Sequence, residues 1–297
     1  MHKILIVDDS KNFCAMMQDF FTSRYEVGTV RNGEAALERC RNEHFDMVIS
    51  DINMPGIQGP ELLQRIKETW PGIRTILITS YSIDSYITIA RRYNISSIMP
   101  KTVPFNFSEL ATMVDGLLTG DIFGLSRYLL PDAEIDTCTI TSSRESRKIR
   151  ETIVGVLSAR FEGAGDMKLL LDETITNAIY HAPRNPDGSV RYREFTEVEL
   201  EPHEYVQIEY GYDEEKYGVS VSDNLGKLKK EVVLERIDRH TAGQGILDDS
   251  GRGIHMSRLF ADRMFVNIHP EVKTEVVLVN YISKKYKGYK PLYVNEL

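Results

Sequence analysis

Four short apolar runs, Ile4–Val7, Met47–Ser50, Ile76–Thr79 and Ser97–Met99, are spread through the first part of the chain with amphipathic stretches between them. Uninterrupted runs of this length are the signature of strands buried on both faces, and intervening helices force parallel crossovers. The pattern therefore predicts a doubly wound α/β unit. A helix over about residues 108–118 closes it, and Thr119, Gly120 and Asp121 break that helix, which puts the boundary at residue 120.

Residues 121–134 (DIFGLSRYLLPDAE) are neither Gly/Ser-rich nor strongly charged, so they predict a packed connector rather than a free tether. Its Ile122, Phe123, Leu125, Tyr128 and Leu129 form an apolar face, which would pack on the first unit's last helix or on a second copy of the chain. Beyond it the pattern changes. A strand near 135–141 precedes a helix with Ile149, Ile153, Val156 and Leu157 at helical spacing, and a second helix spans about 166–182. Period-two alternation in Val206-Ile208-Tyr210 and Val219-Val221, around a turn at 213–218, predicts an antiparallel hairpin. A last strand is expected at 275–280, giving an α+β sandwich over 135–285 and a tail at 286–297.

A net charge of −8 and a pI near 5.5 argue against a broad phosphate-binding surface, so output by direct DNA contact is not expected. The apolar run Ile4–Val7 is too short for a signal-peptide core and no stretch is long enough to span a membrane. Cys14, Cys40 and Cys138 have neither CxxC nor zinc spacing, as reduced thiols would. Together these features predict a cytoplasmic protein without a membrane partner.

Chemistry gathers at the strand ends. Asp8 and Asp9 follow the first run, Asp51 the second, Thr79 ends the third and Lys101 lies just past the fourth. Carboxyl ends of parallel strands converge in one crevice, so three carboxylates, a hydroxyl and an ammonium should share a pocket. A hard cation such as Mg²⁺ fits Asp8, Asp9, Asp51 and a backbone carbonyl, and with charge neutralised one carboxylate can attack phosphorus.

Over roughly residues 1–120 the motifs VDDS, DINMPGIQG, ITS and PK resemble the receiver domains of two-component response regulators. The resemblance implies a flavodoxin-like fold with Asp51 as phosphoacceptor. Asp8, Asp9 and the Asn53 backbone carbonyl would hold the metal, Thr79 would hydrogen-bond the phosphoryl group, and Lys101 would pair with it. Thr102 stands where proline usually follows the lysine, and Ile98 stands where receivers commonly carry an aromatic. Tyr81 is either a substitute for that aromatic or a surface residue.

The second half contains no GxxxxGK[ST], which excludes a P-loop. In LDETITNAIYHA, Glu173, Asn177 and His181 recur every four residues and share one helix face, which suits a metal–nucleotide site with the amide on Mg²⁺ and the carboxylate as base; a plain surface pair is the alternative. Asp223 lies at a strand end with Gly226 beyond it, placed to accept a hydrogen bond from an adenine amino group. Gly251-Arg252-Gly253 opens a helix over 254–260, where exposed N–H groups and the helix dipole favour phosphate. Residues 239–250 read either as a mobile lid or as an ordinary loop, and His181 and His255 either as phosphate contacts or as structural groups.

These residues together resemble the Bergerat-type ATPase fold shared by gyrase, the Hsp90 chaperone, histidine kinases and the MutL mismatch-repair protein, and look most like the anti-sigma-factor serine kinases. The resemblance implies Glu173 as general base, Asn177 as Mg²⁺ ligand, Asp223 with Gly226 as adenine reader, Gly251 and Gly253 as phosphate loop, and Thr274 supporting the adenine end. Leu225 and Lys227 replace glycines of the usual adenine motif, and Lys273 replaces the glycine before the threonine. The expected protein is a response regulator with Mg²⁺ and ATP as cofactors. A sensor histidine kinase would lie upstream, an anti-anti-sigma-type protein or a sigma factor downstream, and a homodimer is an open alternative. Its output would be phosphate transfer to serine or threonine, or else partner capture without transfer. A hybrid histidine kinase is excluded, because the connector is too short for a helical hairpin carrying the phosphorylated histidine.

Overall fold

The structure is a computed structural model that describes residues 1–80, 87–241, 252–283, 286 and 291–297. Two compact units emerge, residues 1–121 with 291–293, and residues 122–290 with 294–297.

In the first unit β1 (Lys3–Val7), β2 (Glu26–Val30), β3 (Met47–Asp51), β4 (Arg74–Thr79) and β5 (Ser97–Pro100) are parallel and ordered β2-β1-β3-β4-β5. This is the flavodoxin-like order, in which the direction of winding reverses between β1 and β3. The linking helices are α1 (Lys11–Phe21), α2 (Gly33–Asn42), α3 (Gly59–Thr69), α4 (Ile87–Arg92) and α5 (Phe107–Thr119). Local chemistry sets their ends. The Ser10 hydroxyl accepts from the Phe13 N–H, Asn32 Oδ1 from Ala35 and Asn106 Oδ1 from Glu109, while α5 stops at Gly120 with φ of 76°. Cys14, Met17 and Phe21 are the buried face of α1. Ile4–Val7 and Met47–Ile49 are buried throughout, as strands sandwiched between helix layers must be.

The second unit contains β6 (Glu134–Ile140), α6 (Ser143–Ser158), α7 (Met167–Thr176), β7 (Val206–Tyr212), β8 (Lys216–Asp223), α8 (Lys230–Thr241), α9 (Arg252–Phe260), β9 (Arg263–His269) and β10 (Lys273–Tyr281). Its strands run antiparallel in the order β9-β10-β8-β7-β6. The strand period of two sends Met264, Val266, Val221, Asp223, Thr274 and Val276 toward a cavity, and Phe265, Asn267, Ser220 and Glu275 to the opposite face. Leu170, Leu171 and Ile175 of α7 are buried, each worth about 1.5–3 kcal/mol.

Within the second unit the connector packs on that opposite face, where the sheet supplies acceptors for its backbone. Gly124 N–H donates to Glu275 (2.9 Å), Leu125 N–H to Glu209 (2.6 Å) and Leu130 N–H to Asp213 (2.7 Å). Tyr128 lies on Phe265 with ring centroids 4.1 Å apart, and Ile122, Leu125, Tyr128 and Leu129 are all buried.

Three further expectations need correction. The helix expected over 166–182 ends at Thr176 and continues as a π-helical turn over Asn177–His181. The hairpin turn is shorter than 213–218, because Asp213 Oδ1 accepts from both Glu215 and Lys216 N–H at 2.7 Å and so starts β8 at Lys216. Residues 286–297 are not simply a tail, since they include β11 (Leu292–Glu296). In the first unit Leu292 and Tyr293 pair antiparallel with Ile98 and Ser97, and the Tyr293 hydroxyl donates to Glu109 at 2.7 Å. In the second, Asn295 Nδ2 donates to Asn267 Oδ1 at 2.8 Å.

Candidate functional site

The first site is built at the carboxyl edge of the parallel sheet. Asp51 ends β3 and is buried, Asp8 follows β1 with its side chain almost wholly enclosed, and Lys101 follows β5. Lys101 Nζ stands 2.6 Å from Asp8 Oδ2 and 2.7 Å from Asp51 Oδ1, so one ammonium bridges two carboxylates. The Lys101 N–H also donates to the Thr79 carbonyl at 2.6 Å, which locks the β4 and β5 ends together. Backbone N–H groups hold the acids in place, that of Ser10 on Asp8 at 3.0 Å and that of Asn53 on Asp51 at 3.0 Å. Gly59 is obligatory here, because a Cβ would stand 2.0 Å from the Asp51 carbonyl oxygen.

Burial, with Asp8 beside it, raises the Asp51 carboxyl above its ordinary value against the pull of Lys101. Burial alone would lower Lys101, yet its bonds to Asp51 and Asp8 outweigh that and hold the ammonium above its usual range. Asp9 and the Asn53 side chain are exposed at the mouth. Among the described residues no three His, Cys, Asp or Glu side chains already converge as a metal site. The donor set nevertheless fits Mg²⁺, which prefers oxygen, keeps several waters and needs only one or two carboxylates.

Tyr81 lies outside the described residues, and Ile98 is buried within β5. Among the described residues an aromatic ring reaches this site from Phe13, whose centroid is 4.5 Å from Lys101 Nζ and which meets Phe105 edge-on at 5.2 Å. Sequence reasoning missed it. The available signal was its place in the first turn of α1, directly after the acidic strand end.

The second site is a cavity of about 910 Å³ inside the second unit. Glu173 and Asn177 line it from one helix, with the Asn177 Nδ2 donating to Glu173 Oε1 at 3.0 Å. The π turn closes with the Ala182 N–H on the Asn177 carbonyl (2.9 Å) and leaves His181 on the same wall, 2.6 Å from Glu194 Oε1. Asp223 and Thr274, directly opposite each other in the β8–β10 ladder, form the floor.

Asp223 Oδ1 accepts from the N–H groups of Leu225 (2.9 Å) and Gly226 (3.1 Å). Burial still dominates and pushes its carboxyl up to about 6; those two N–H groups, the nearby Thr274 hydroxyl and the Lys273 charge only oppose it. Thr274 Oγ1 itself reaches no partner with ordinary hydrogen-bond geometry. Gly226 has φ of 59°, and a Cβ there would come within 2.4 Å of the His269 carbonyl, so the close turn requires glycine one residue later than the usual motif. Lys227, in a customary glycine position, is bonded to Glu271 at the cavity.

Arg184, Lys229 and Arg236 also line the cavity and give it cations that suit phosphates, as does Arg191, whose guanidinium is itself paired with Glu201 and Glu204. Sequence reasoning missed these residues, as it missed Ser257 of α9, because no motif carries them. Gly253 falls in the first turn of α9, whereas Gly251 and most of the lid candidate lie outside the described residues; Arg239–Thr241 belong to α8. The side chain of His255 is likewise outside them.

Residues 4–115 match the family described as response regulator receiver domain. A response regulator receiver protein of Anaeromyxobacter sp. is 32% identical over 104 residues, 35% of this chain and 44% of that protein, so the chain spans less than half of that relative. Sporulation initiation phosphotransferase F of Bacillus subtilis is 31% identical over 113 residues, 38% of this chain and 90% of its own length. The solved response regulator protein TrrA from Thermotoga maritima, in complex with Mg(2+)-BeF, is 34% identical, covering 39% of this chain and 97% of its own, with a TM-score of 0.36.

Proposed function

The chain belongs to the response regulator receiver family, and from that premise we propose that phosphorylation of Asp51 controls an ATP-dependent protein serine/threonine kinase carried by the second unit. One observation supports the output most. The helical pair Glu173 and Asn177, Asp223 of β8 and Thr274 of β10 come from three separate stretches of sequence, and all four residues line a single cavity of nucleotide size.

In the first unit a carboxylate oxygen of Asp51 attacks the phosphorus of a phosphohistidine on a sensor kinase, and the imidazole leaves. Asp8, Asp9, Asp51 and the Asn53 carbonyl would hold Mg²⁺, which would supply charge neutralisation there. Lys101, already on Asp51, pairs with the new phosphoryl oxygens while Thr79 donates a hydrogen bond to them. In the second unit Asp223 accepts from the adenine amino group with Thr274 beside it. The cationic residues of the cavity would meet the phosphates, and Gly251 and Gly253 keep the phosphate-loop role that the motif implies. Asn177 would hold the metal of the nucleotide. Glu173 takes the proton from a partner's hydroxyl as that oxygen attacks the terminal phosphorus. An anti-anti-sigma-type protein or a sigma factor is the partner class this output serves, with homodimerisation an alternative use of the surface.

The test separates two roles on one helix. Asn177→Ala removes ATP binding. Glu173→Gln keeps the shape and the hydrogen bond to Asn177, leaves ATP affinity within about 1 kcal/mol, and lowers radiolabel transfer to the partner about 10²- to 10⁴-fold. If wild type binds ATP and its partner without transferring phosphate, and Glu173→Gln behaves identically, the second unit is a binding module. That second reading is favoured by the Lys227–Glu271 bond, which fills a place where the kinases keep glycine.

A further inference from the structure

The floor of the second unit's cavity contains a group that neither the receiver match nor the motifs account for. Ser257 lies on α9, one turn after Ile254, and both residues line the cavity. Its residue is only 1% exposed, and its hydroxyl has no hydrogen-bond partner among the described residues. A helical serine normally relieves such burial by bonding the carbonyl four residues back. Here that bond is not made. The Thr274 hydroxyl, in the same cavity, is also buried without a partner of ordinary geometry. The unpartnered Ser257 hydroxyl, with the Thr274 hydroxyl that only approaches the buried Asp223 off ordinary geometry, presents polar atoms suited to a ligand in one cavity.

We propose that Ser257 is a base-reading residue whose hydroxyl donates, directly or through one ordered water, to a ring nitrogen of the nucleotide bound in this cavity. The inference rests on the nucleotide reading of the site and adds the group that completes it. A purine ring with an exocyclic amine offers one N–H donor edge and several ring nitrogens that only accept. Asp223 can only accept when ionised and therefore takes the amine. The ring nitrogens then need donors. The side chains of Val221, Val266, Met264 and Val276 on the same floor have no N–H or O–H to offer, leaving Ser257 and Thr274 to provide them. Because the hydroxyl has no protein partner among the described residues, removing it takes no hydrogen bond from the described fold, and its loss is felt on binding.

The experiment is calorimetric titration of the full chain and its Ser257→Ala and Ser257→Cys variants with MgATP and with ATP analogues in which N1, N3 or N7 is replaced by C–H. Cysteine keeps the volume but is a weak donor. Melting curves of the ligand-free proteins accompany the titrations. Both variants should bind MgATP about five- to twentyfold more weakly than wild type, the loss of roughly one hydrogen bond. On the one analogue that lacks the contacted nitrogen, wild type and variants should agree within about twofold. The ligand-free variants should melt at or above the wild-type temperature. Equal affinity of wild type and variants for MgATP overturns the inference while leaving the nucleotide site standing. A loss that persists on every analogue, or a marked fall in ligand-free melting temperature, overturns it in favour of a structural hydroxyl. If wild type binds no nucleotide and Asn177→Ala is indistinguishable from it, this inference and the nucleotide reading fall together.

Discussion

Replacing Asp223 by asparagine measures how much stability the second unit forgoes to keep a carboxylate inside its cavity. Burial lifts this carboxyl from its ordinary value of 3.8 to about 6, against the Leu225 and Gly226 N–H groups, the Thr274 hydroxyl and the Lys273 charge. The folded protein therefore retains a proton that the unfolded chain releases between about pH 4 and pH 6. A raised carboxyl has no penalty below the lower value and its full penalty above the upper one, so stability falls as pH rises through that window. Holding the proton about a hundredfold more tightly in the folded state corresponds to about 3 kcal/mol. Asparagine keeps an oxygen for both N–H donors and has no charge to desolvate. Asp223→Asn should thus match wild type near pH 4 and exceed it by about 2–3 kcal/mol near pH 7.5. The single tryptophan, Trp70, lies in the first unit and reports the wrong transition. Hydrogen exchange of β8 and β10 peptides in a urea series isolates the right one, since two units need not unfold together. A variant less stable than wild type near pH 7.5, or a difference that is the same at both pH values, would refute the reasoning.

Three other substitutions probe the remaining contacts. Asp51→Asn should abolish acyl phosphorylation by a small phosphodonor with Mg²⁺, read by intact mass; label persisting on another carboxylate defeats the assignment. Lys101→Met leaves Asp8 and Asp51 buried without their shared cation and should destabilise the first unit by about 3–5 kcal/mol, with Mg²⁺ restoring much of it; Trp70 fluorescence in urea follows this, and an indifferent melt contradicts the bridged geometry. Glu275→Leu strips the acceptor from Gly124 N–H, the Ser220 hydroxyl and Asn267 Nδ2, and should cost about 3–5 kcal/mol while exposing residues 122–130 to hydrogen exchange; unchanged protection of those residues would show that the connector is held by other contacts.

What could be read from the sequence follows from how strongly burial constrains each element. The parallel strands β1, β3 and β4 are enclosed on both faces, so they appear as plain apolar runs, and their ends deliver Asp8, Asp51 and Thr79 to one edge. β2 (EVGTV) is an edge strand that is only partly buried, and its weak pattern hid it. In β9 and β10 the buried Asn267 and Glu275 interrupt the apolar code, because that face of the sheet holds a connector by hydrogen bonds rather than by packing alone. Glu173 and Asn177 were legible as a helical pair. The π turn after them was not, since nothing in NAIYH marks a five-residue closure. Phe13 and Ser257 escaped for a common reason: the fold brings each to its site from a position with no motif of its own, Phe13 beside Lys101 and Ser257 into the cavity it shares with Asp223 and Thr274.

The central claim, that the second unit's cavity is a nucleotide site built on Asn177, is tested most directly by calorimetric titration of the full chain with MgATP beside its Asn177→Ala variant. Wild type should show saturable binding at one site per chain and the variant no measurable binding, because the amide that carries the nucleotide's metal is gone. No heat with wild type, or the same isotherm for both proteins, would contradict it.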